Sequence, residues 1–338
     1  MREVYKLTLI LKKYFNINFA RITLIARMIL SLIKVRTVCL SEVATGFAGK
    51  AKTASNEKRI QRFLKNFSID TDSVTRFVAS ELPEGQRILT TDRTYLEFGK
   101  LEINIPVLAV VYKGVAIPLL RKILGNPDSG KKGNSDTGER IELMMRFIRL
   151  FGISRIVSLC ADREFIGSEW FGWLESYGIR ICIRIRENQY ITDSEGVSEP
   201  GRVLFRDLKP GGSRILRGRR KIGDVSVYIS GMKLPDGKFL IVASSDNPEI
   251  APETYAKRWQ IETMSACLKT KGFGSEDTHL TDLGRIDRLP GIVTVAFVRA
   301  YLVGDRPDDI NPVHIKKLSV TGQKVSSDTD TIISAESL

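Results

Sequence analysis

The chain has 338 residues, 43% hydrophobic and 27% charged, which suits a folded protein with a sizeable core and excludes a disordered or fibrous one. Four scattered cysteines (Cys39, Cys160, Cys182, Cys267) and two histidines exclude a disulfide scaffold and a zinc site of ordinary spacing, and a reducing cytoplasm is the expected compartment. The net charge of +13 is uneven: residues 1–80 hold 15 basic and 5 acidic residues, residues 202–221 hold 8 and 1, and residues 251–338 hold 11 and 12. Two concentrated basic regions point to a polyanion, most often nucleic acid, with a merely solvated surface as the alternative.

Residues 1–82 read as helices, with apolar residues at three and four spacing through Leu24, Met28, Ile29, Leu32 and Ile33. The run from Ile22 to Leu40 is interrupted by Arg27, Lys34 and Arg36, so it is not a membrane span. A short helix after Ser41, a break at Gly46–Gly49 and a basic amphipathic helix over 55–65 fit a helical region that touches DNA phosphates, or a helix-turn-helix-like reader. From 83 to 186 the order is βββαβαβ. Strands are expected over 86–98, 103–112 and 115–124, then a helix from Asp136 with Glu139 as its capping partner. A strand over 155–161, a helix over 168–176 and a strand over 179–186 complete an α/β layer architecture. Residues 187–248 form a β-rich insertion holding the basic cluster Arg217, Arg219, Arg220 and Lys221. Residues 249–304 contain a helix from Pro252 to Lys271, stopped by Gly272, and 305–338 form a polar tail expected to be partly disordered.

Three acidic residues stand out. Asp92 lies in the first strand, in Thr91-Asp92-Arg93-Thr94, and Asp162 ends the strand after the first core helix, in Asp162-Arg163-Glu164-Phe165. The carboxyl ends of parallel strands are where sites form in open α/β sheets, and an aspartate in an apolar strand is costly unless paired or bound to a cation. Glu262 is on the 252–271 helix. At 100° per residue, Tyr255, Arg258, Glu262 and Lys269 share one arc of about 60°, opposite Ile261, Met264, Cys267 and Leu268.

The spacing Tyr255-x2-Arg258-x3-Glu262-x6-Lys269 resembles the helix signature of a branch of bacterial insertion-sequence transposases of the DDE class, over roughly residues 5–304. The two aspartate motifs look like that family's first and second. The resemblance implies a ribonuclease-H-like mixed sheet with a β insertion. It implies Asp92, Asp162 and Glu262 as catalytic ligands of two Mg²⁺ ions, with Mn²⁺ as a substitute, which suits hard carboxylate oxygens and two-metal phosphodiester chemistry. It further implies that Tyr255, Arg258 and Lys269 contact the element's end, and Lys271 lies beside them. The partners expected are double-stranded DNA, as element ends and target, and a second copy in a homodimer on DNA, in a bacterial or archaeal nucleoid. The activity implied is cleavage of the element's ends and joining of their 3′-OH groups to target DNA. Tyr95-Leu96 after the first aspartate motif and Met264-Ser265 after the glutamate depart from the usual pattern. The rival readings are a decayed DNA-binding copy that inhibits transposition and a general ribonuclease-H-like nuclease.

Overall fold

The N-terminal charge pattern resolves into five helices, each with its apolar stripe turned inward. In the computed structural model, which describes residues 2–98, 101–123, 136–269, 272–275, 277–278 and 283–304, these are α1 (Arg2–Lys12), α2 (Phe19–Val35), α3 (Leu40–Thr45), α4 (Thr53–Asn66) and α5 (Thr71–Ser80). Asn18 starts α2 by accepting the Arg21 N–H (2.9 Å), and Arg36 ends it in the left-handed region at φ 59°. α4 buries Ile60, Phe63 and Leu64 and leaves Lys58, Arg59, Arg62 and Lys65 exposed. The basic helix expected over 55–65 is therefore present, with its cations on the outer face.

The sheet follows. β1 (Arg87–Phe98), β2 (Leu101–Tyr112) and β3 (Val115–Arg121) form an antiparallel meander. α6 (Thr137–Phe151) starts on the expected capping box, in which Asp136 accepts the Glu139 N–H and Glu139 accepts the Asp136 N–H. β4 (Ile156–Ala161) then lies parallel to β1, and α7 (Ser168–Ser176) leads to β5 (Ile181–Ile185), parallel to β4. This is a mixed sheet with helices, the α/β architecture expected from the strand and helix order.

The residues after β5 continue the same sheet. β6 (Tyr190–Thr192), β7 (Ser198–Pro200), α8 (Gly201–Leu204), β8 (Ser213–Ile215), β9 (Arg220–Ile222), β10 (Val225–Lys233) and β11 (Phe239–Ser244) follow in the chain. β11 pairs antiparallel with β5 and β10 with β11, so the strand order is β3-β2-β1-β4-β5-β11-β10-β9-β6-β7, with β8 beside β10. Gly231 in β10 lets the fully buried Phe205 ring lie against the strand, since a Cβ there would meet that ring at 2.5 Å.

The C-terminal helices close the fold. α9 (Ala251–Ala256), a 3₁₀ turn (Lys257–Trp259) and α10 (Gln260–Leu268) follow β11, and α11 (Leu283–Gly304) ends the described chain. α10 buries Ile261, Met264 and Cys267 and packs against β1, β2 and β3. α11 packs against α2, α4 and α5, and Arg288 donates to the Lys65 carbonyl (3.0 Å). Thr75 on α5 donates to the Leu119 carbonyl of β3 (2.7 Å), which fastens the N-terminal helices to the sheet. No helix among the described residues is long and apolar enough to cross a membrane. The polar tail over 305–338 lies outside the described residues.

Candidate active site

The strand register brings the two aspartates together. Thr91 of β1 stands opposite Ala161 of β4 in the parallel pair, so the next residues, Asp92 and Asp162, come level where β4 ends. In a parallel pair, residues level with each other point to the same face. Asp92 accepts the Arg93 N–H at 2.8 Å. Arg93 in turn forms a two-pronged ion pair with Glu164, which includes Nε to Oε1 at 3.0 Å. Arg140 of α6 donates to the Glu164 carbonyl (3.2 Å) and stacks on Phe165, so the turn that carries Asp162 is held from two sides. Glu164 is thus tied to a structural arginine.

The third carboxylate arrives on the helix that crosses the sheet. Two buried thiols fasten its first part: Cys182 donates to the Ala251 carbonyl (3.1 Å) and Cys160 to the Thr254 carbonyl (3.5 Å). Gln260 accepts the Tyr112 N–H at the end of β2 (3.1 Å) and fixes the start of α10. Between these anchors Tyr255 is fully buried, and its hydroxyl donates to Asp162 Oδ1 at 3.2 Å. Arg258 donates through Nε to the Tyr255 hydroxyl (3.1 Å) and through Nη2 to Glu262 Oε1 (2.6 Å). Its Nη1 lies 3.5 Å from Asp92 Oδ2. One guanidinium, with a side chain only 6% exposed, therefore joins Asp92 and Glu262 directly and Asp162 through Tyr255.

The electrostatics follow from that arrangement. Burial pushes the Asp92 carboxyl up to about 6; Arg258 and the Arg93 N–H oppose the rise, while Glu164 and Asp162 add to it. Burial also raises the Tyr255 hydroxyl, and nearby Asp162 raises it further. Burial works against the charge on Arg258, but Tyr255, Asp162, Glu262 and Asp92 together hold its pKa above the ordinary value.

Three carboxylates from separate elements are a hard-oxygen donor set, and a divalent cation beside Asp92 would offset its burial penalty, so the residues fit such an ion in chemistry. In the conformation described, Asp92 and Glu262 pair with Arg258, and no cluster of three His, Cys, Asp or Glu groups able to hold a metal is present among the described residues.

The expected continuous helix over 252–271 needs correction. A 3₁₀ turn over Lys257–Trp259 interrupts it, and α10 ends at Leu268, leaving Lys269 just past the helix with its N–H bonded to the Ser265 carbonyl. The signature residues also differ in exposure. Tyr255 and Arg258 are buried, whereas Glu262 keeps half its side chain exposed. Helical periodicity says which residues share a face; it does not say that the face meets two aspartates across a sheet. Lys271 lies outside the described residues. The basic cluster lies at and before β9, and its hydrogen bond and ion pair go to residues outside this network. Arg219 donates to the Ser245 carbonyl (2.9 Å) and stacks on Tyr228, and Arg220 pairs with Asp193 (3.5 Å). Arg217, Arg219 and Lys221 are exposed. What the sequence reading missed is the fastening set, Arg93 with Glu164 and the two cysteines. Arg93, Glu164 and Cys160 lie in or beside the aspartate motifs, whereas Cys182 lies near neither them nor the helix in sequence.

Residues 128–296 match the family described as Transposase DDE domain. No curated protein matches the chain.

Proposed function

The chain belongs to the Transposase DDE domain family, and from that premise we propose that it cleaves the ends of its own insertion sequence and joins the freed 3′-OH groups to target DNA, as a member of the branch with the Tyr-Arg-Glu-Lys helix signature. The observation that carries this reading is the linking of three carboxylates from different elements to the guanidinium of Arg258, Asp92 and Glu262 directly and Asp162 through the Tyr255 hydroxyl. The order β3-β2-β1-β4-β5, antiparallel and then parallel, supports a ribonuclease-H-like core built from residues 83–186 and 249–304, with 187–248 inserted between them.

In this reading the three carboxylates are the ligands for two Mg²⁺ ions, for which Mn²⁺ substitutes. Bound there, the ions supply an activated nucleophile and a stabilised leaving oxygen. The chain's own residues do the positioning. β1 and β4 hold the two aspartates level, Arg93 and Glu164 keep the second aspartate's turn in place, and α10 carries Glu262 at the exposed side. Lys269, just past the end of α10, contacts a phosphate of the element's end. Residues 1–82, through the exposed cations of α4, and the basic stretch before and within β9 hold duplex DNA by its phosphates. A homodimer on DNA brings two ends together, in the cytoplasm of its host.

The test is purified protein with a DNA library carrying candidate ends. Nicks at defined ends and joined products in Mg²⁺, both lost in EDTA, are expected. DNA binding without nicking means a decayed copy, and nicking without joining means a general nuclease.

A further inference from the structure

Arg258 occupies an unusual place for a residue expected on DNA. Its guanidinium is buried and touches two carboxylates, and it reaches the third through Tyr255. Carboxylates brought near one another repel unless a cation lies among them. In this conformation Arg258 is that cation. Glu262 Oε1 and Asp92 Oδ2, the oxygens it holds, are among those that a divalent ion would need.

The backbone at Arg258 is also suited to release. The residue sits in the 3₁₀ turn between α9 and α10, where the hydrogen-bonding pattern of the helix changes. Short 3₁₀ stretches inside helices often mark hinges. The far end of the latch, Glu262, has a side chain 50% exposed, so this edge of the network is open to an approaching strand. A DNA phosphate can accept two parallel hydrogen bonds from a guanidinium, whereas Glu262 accepts the Nη2 bond alone.

Resting on the proposed function, we propose that Arg258 is a positioning residue that serves as the internal counter-ion of the three carboxylates in the DNA-free protein. Divalent metal competes with it, and a DNA phosphate draws it away, so that DNA binding and metal loading are coupled. By linkage, the factor by which DNA tightens metal binding equals the factor by which metal tightens DNA binding.

The experiment measures Mn²⁺ binding to the full chain, by the signal of free Mn²⁺ in electron paramagnetic resonance, without DNA and with a saturating duplex library. Wild type, Arg258→Ala, and Arg258→Ala combined with Glu262→Gln are compared. Without DNA, Arg258→Ala binds Mn²⁺ ~10-fold more tightly than wild type, within the usual range of coupling. Adding Glu262→Gln removes that gain. The duplex tightens Mn²⁺ binding to wild type but leaves Arg258→Ala unchanged. If Arg258→Ala does not fold, as judged by its thermal transition, Arg258→Lys serves, because a compact ammonium cannot span Asp92 and Glu262 as a guanidinium does. It too binds Mn²⁺ more tightly than wild type, by severalfold. Unchanged or weaker binding in the Arg258 variant, with Glu262→Gln still weakening it, overturns the counter-ion and leaves the proposed function standing. An equal response to DNA in both proteins also overturns the proposal. If neither substitution alters Mn²⁺ binding, the carboxylate metal site itself is wrong and both readings fall.

Discussion

The basic cluster before and within β9 gives a quantitative prediction about DNA affinity. If Arg217, Arg219, Arg220 and Lys221 each neutralised a phosphate, replacing all four with alanine would flatten the slope of log K against log salt by about 3.6, at about 0.9 per contact. The structure halves that figure. Arg219 is engaged with the Ser245 carbonyl and the Tyr228 ring, and Arg220 with Asp193. Arg217, Arg219 and Lys221 are all exposed, and of these Arg219 is the one held by groups within the protein. The double variant Arg217→Ala/Lys221→Ala should therefore flatten the slope by about 1.8, and the fourfold variant by little more. Phosphate contacts carry no sequence information, so mixed-sequence duplexes and the element's ends should lose affinity alike. The assay is a salt titration of binding for wild type and both variants. An unchanged slope would return the cluster to solvent, and a fourfold effect twice the double one would show that the internal partners of Arg219 and Arg220 yield to DNA.

Other consequences follow from single contacts. Because burial raises the Asp92 carboxyl to about 6 from 3.8, the folded state holds its proton more tightly than the unfolded state. Stability of the metal-free protein should then fall as pH rises from about 4 to 6, by up to ~3 kcal/mol through this group, and the fall should be absent in Asp92→Asn when both are unfolded in urea across that range. Tyr255→Phe removes the hydroxyl between Arg258 and Asp162 and should cost about 1.5–3 kcal/mol, since both partners are charged; a loss under about 0.5 kcal/mol would mean the network contributes little. Gly231→Ala drives a methyl into the buried Phe205 ring and should cost about 1–3 kcal/mol by the same measurement, with an unchanged midpoint showing that the ring has room to move.

Much of the core was legible locally. The Asp136–Glu139 box marked the start of α6, and the helix expected over 168–176 is α7. β1 to β3 were marked by apolar runs between short turns, and β4 and β5 by apolar runs that follow helices. Strand pairing was not legible: alternation marks β10 and β11, but nothing local says that β11 adds to β5 and extends the main sheet. Pro290 and Gly291 interrupt the helical pattern of α11, yet it packs against α2, α4 and α5. At the site, the residue types and spacings were readable, including three carboxylates far apart in sequence. Which groups they face was not. The burial of Tyr255 and Arg258 is decided by the β1–β4 register and by the thiols under α9, both long-range.

The central claim is that Asp92, Asp162 and Glu262 act together on the chemical step. It is tested most directly by assaying Asp92→Ala, Asp162→Ala and Glu262→Ala for nicking at the element's ends in Mg²⁺ at saturating protein, beside a binding titration. Each variant should lose nicking while its DNA affinity stays within about tenfold of wild type, because phosphate contacts elsewhere supply most of the binding. Near wild-type nicking by any one of the three would contradict the account.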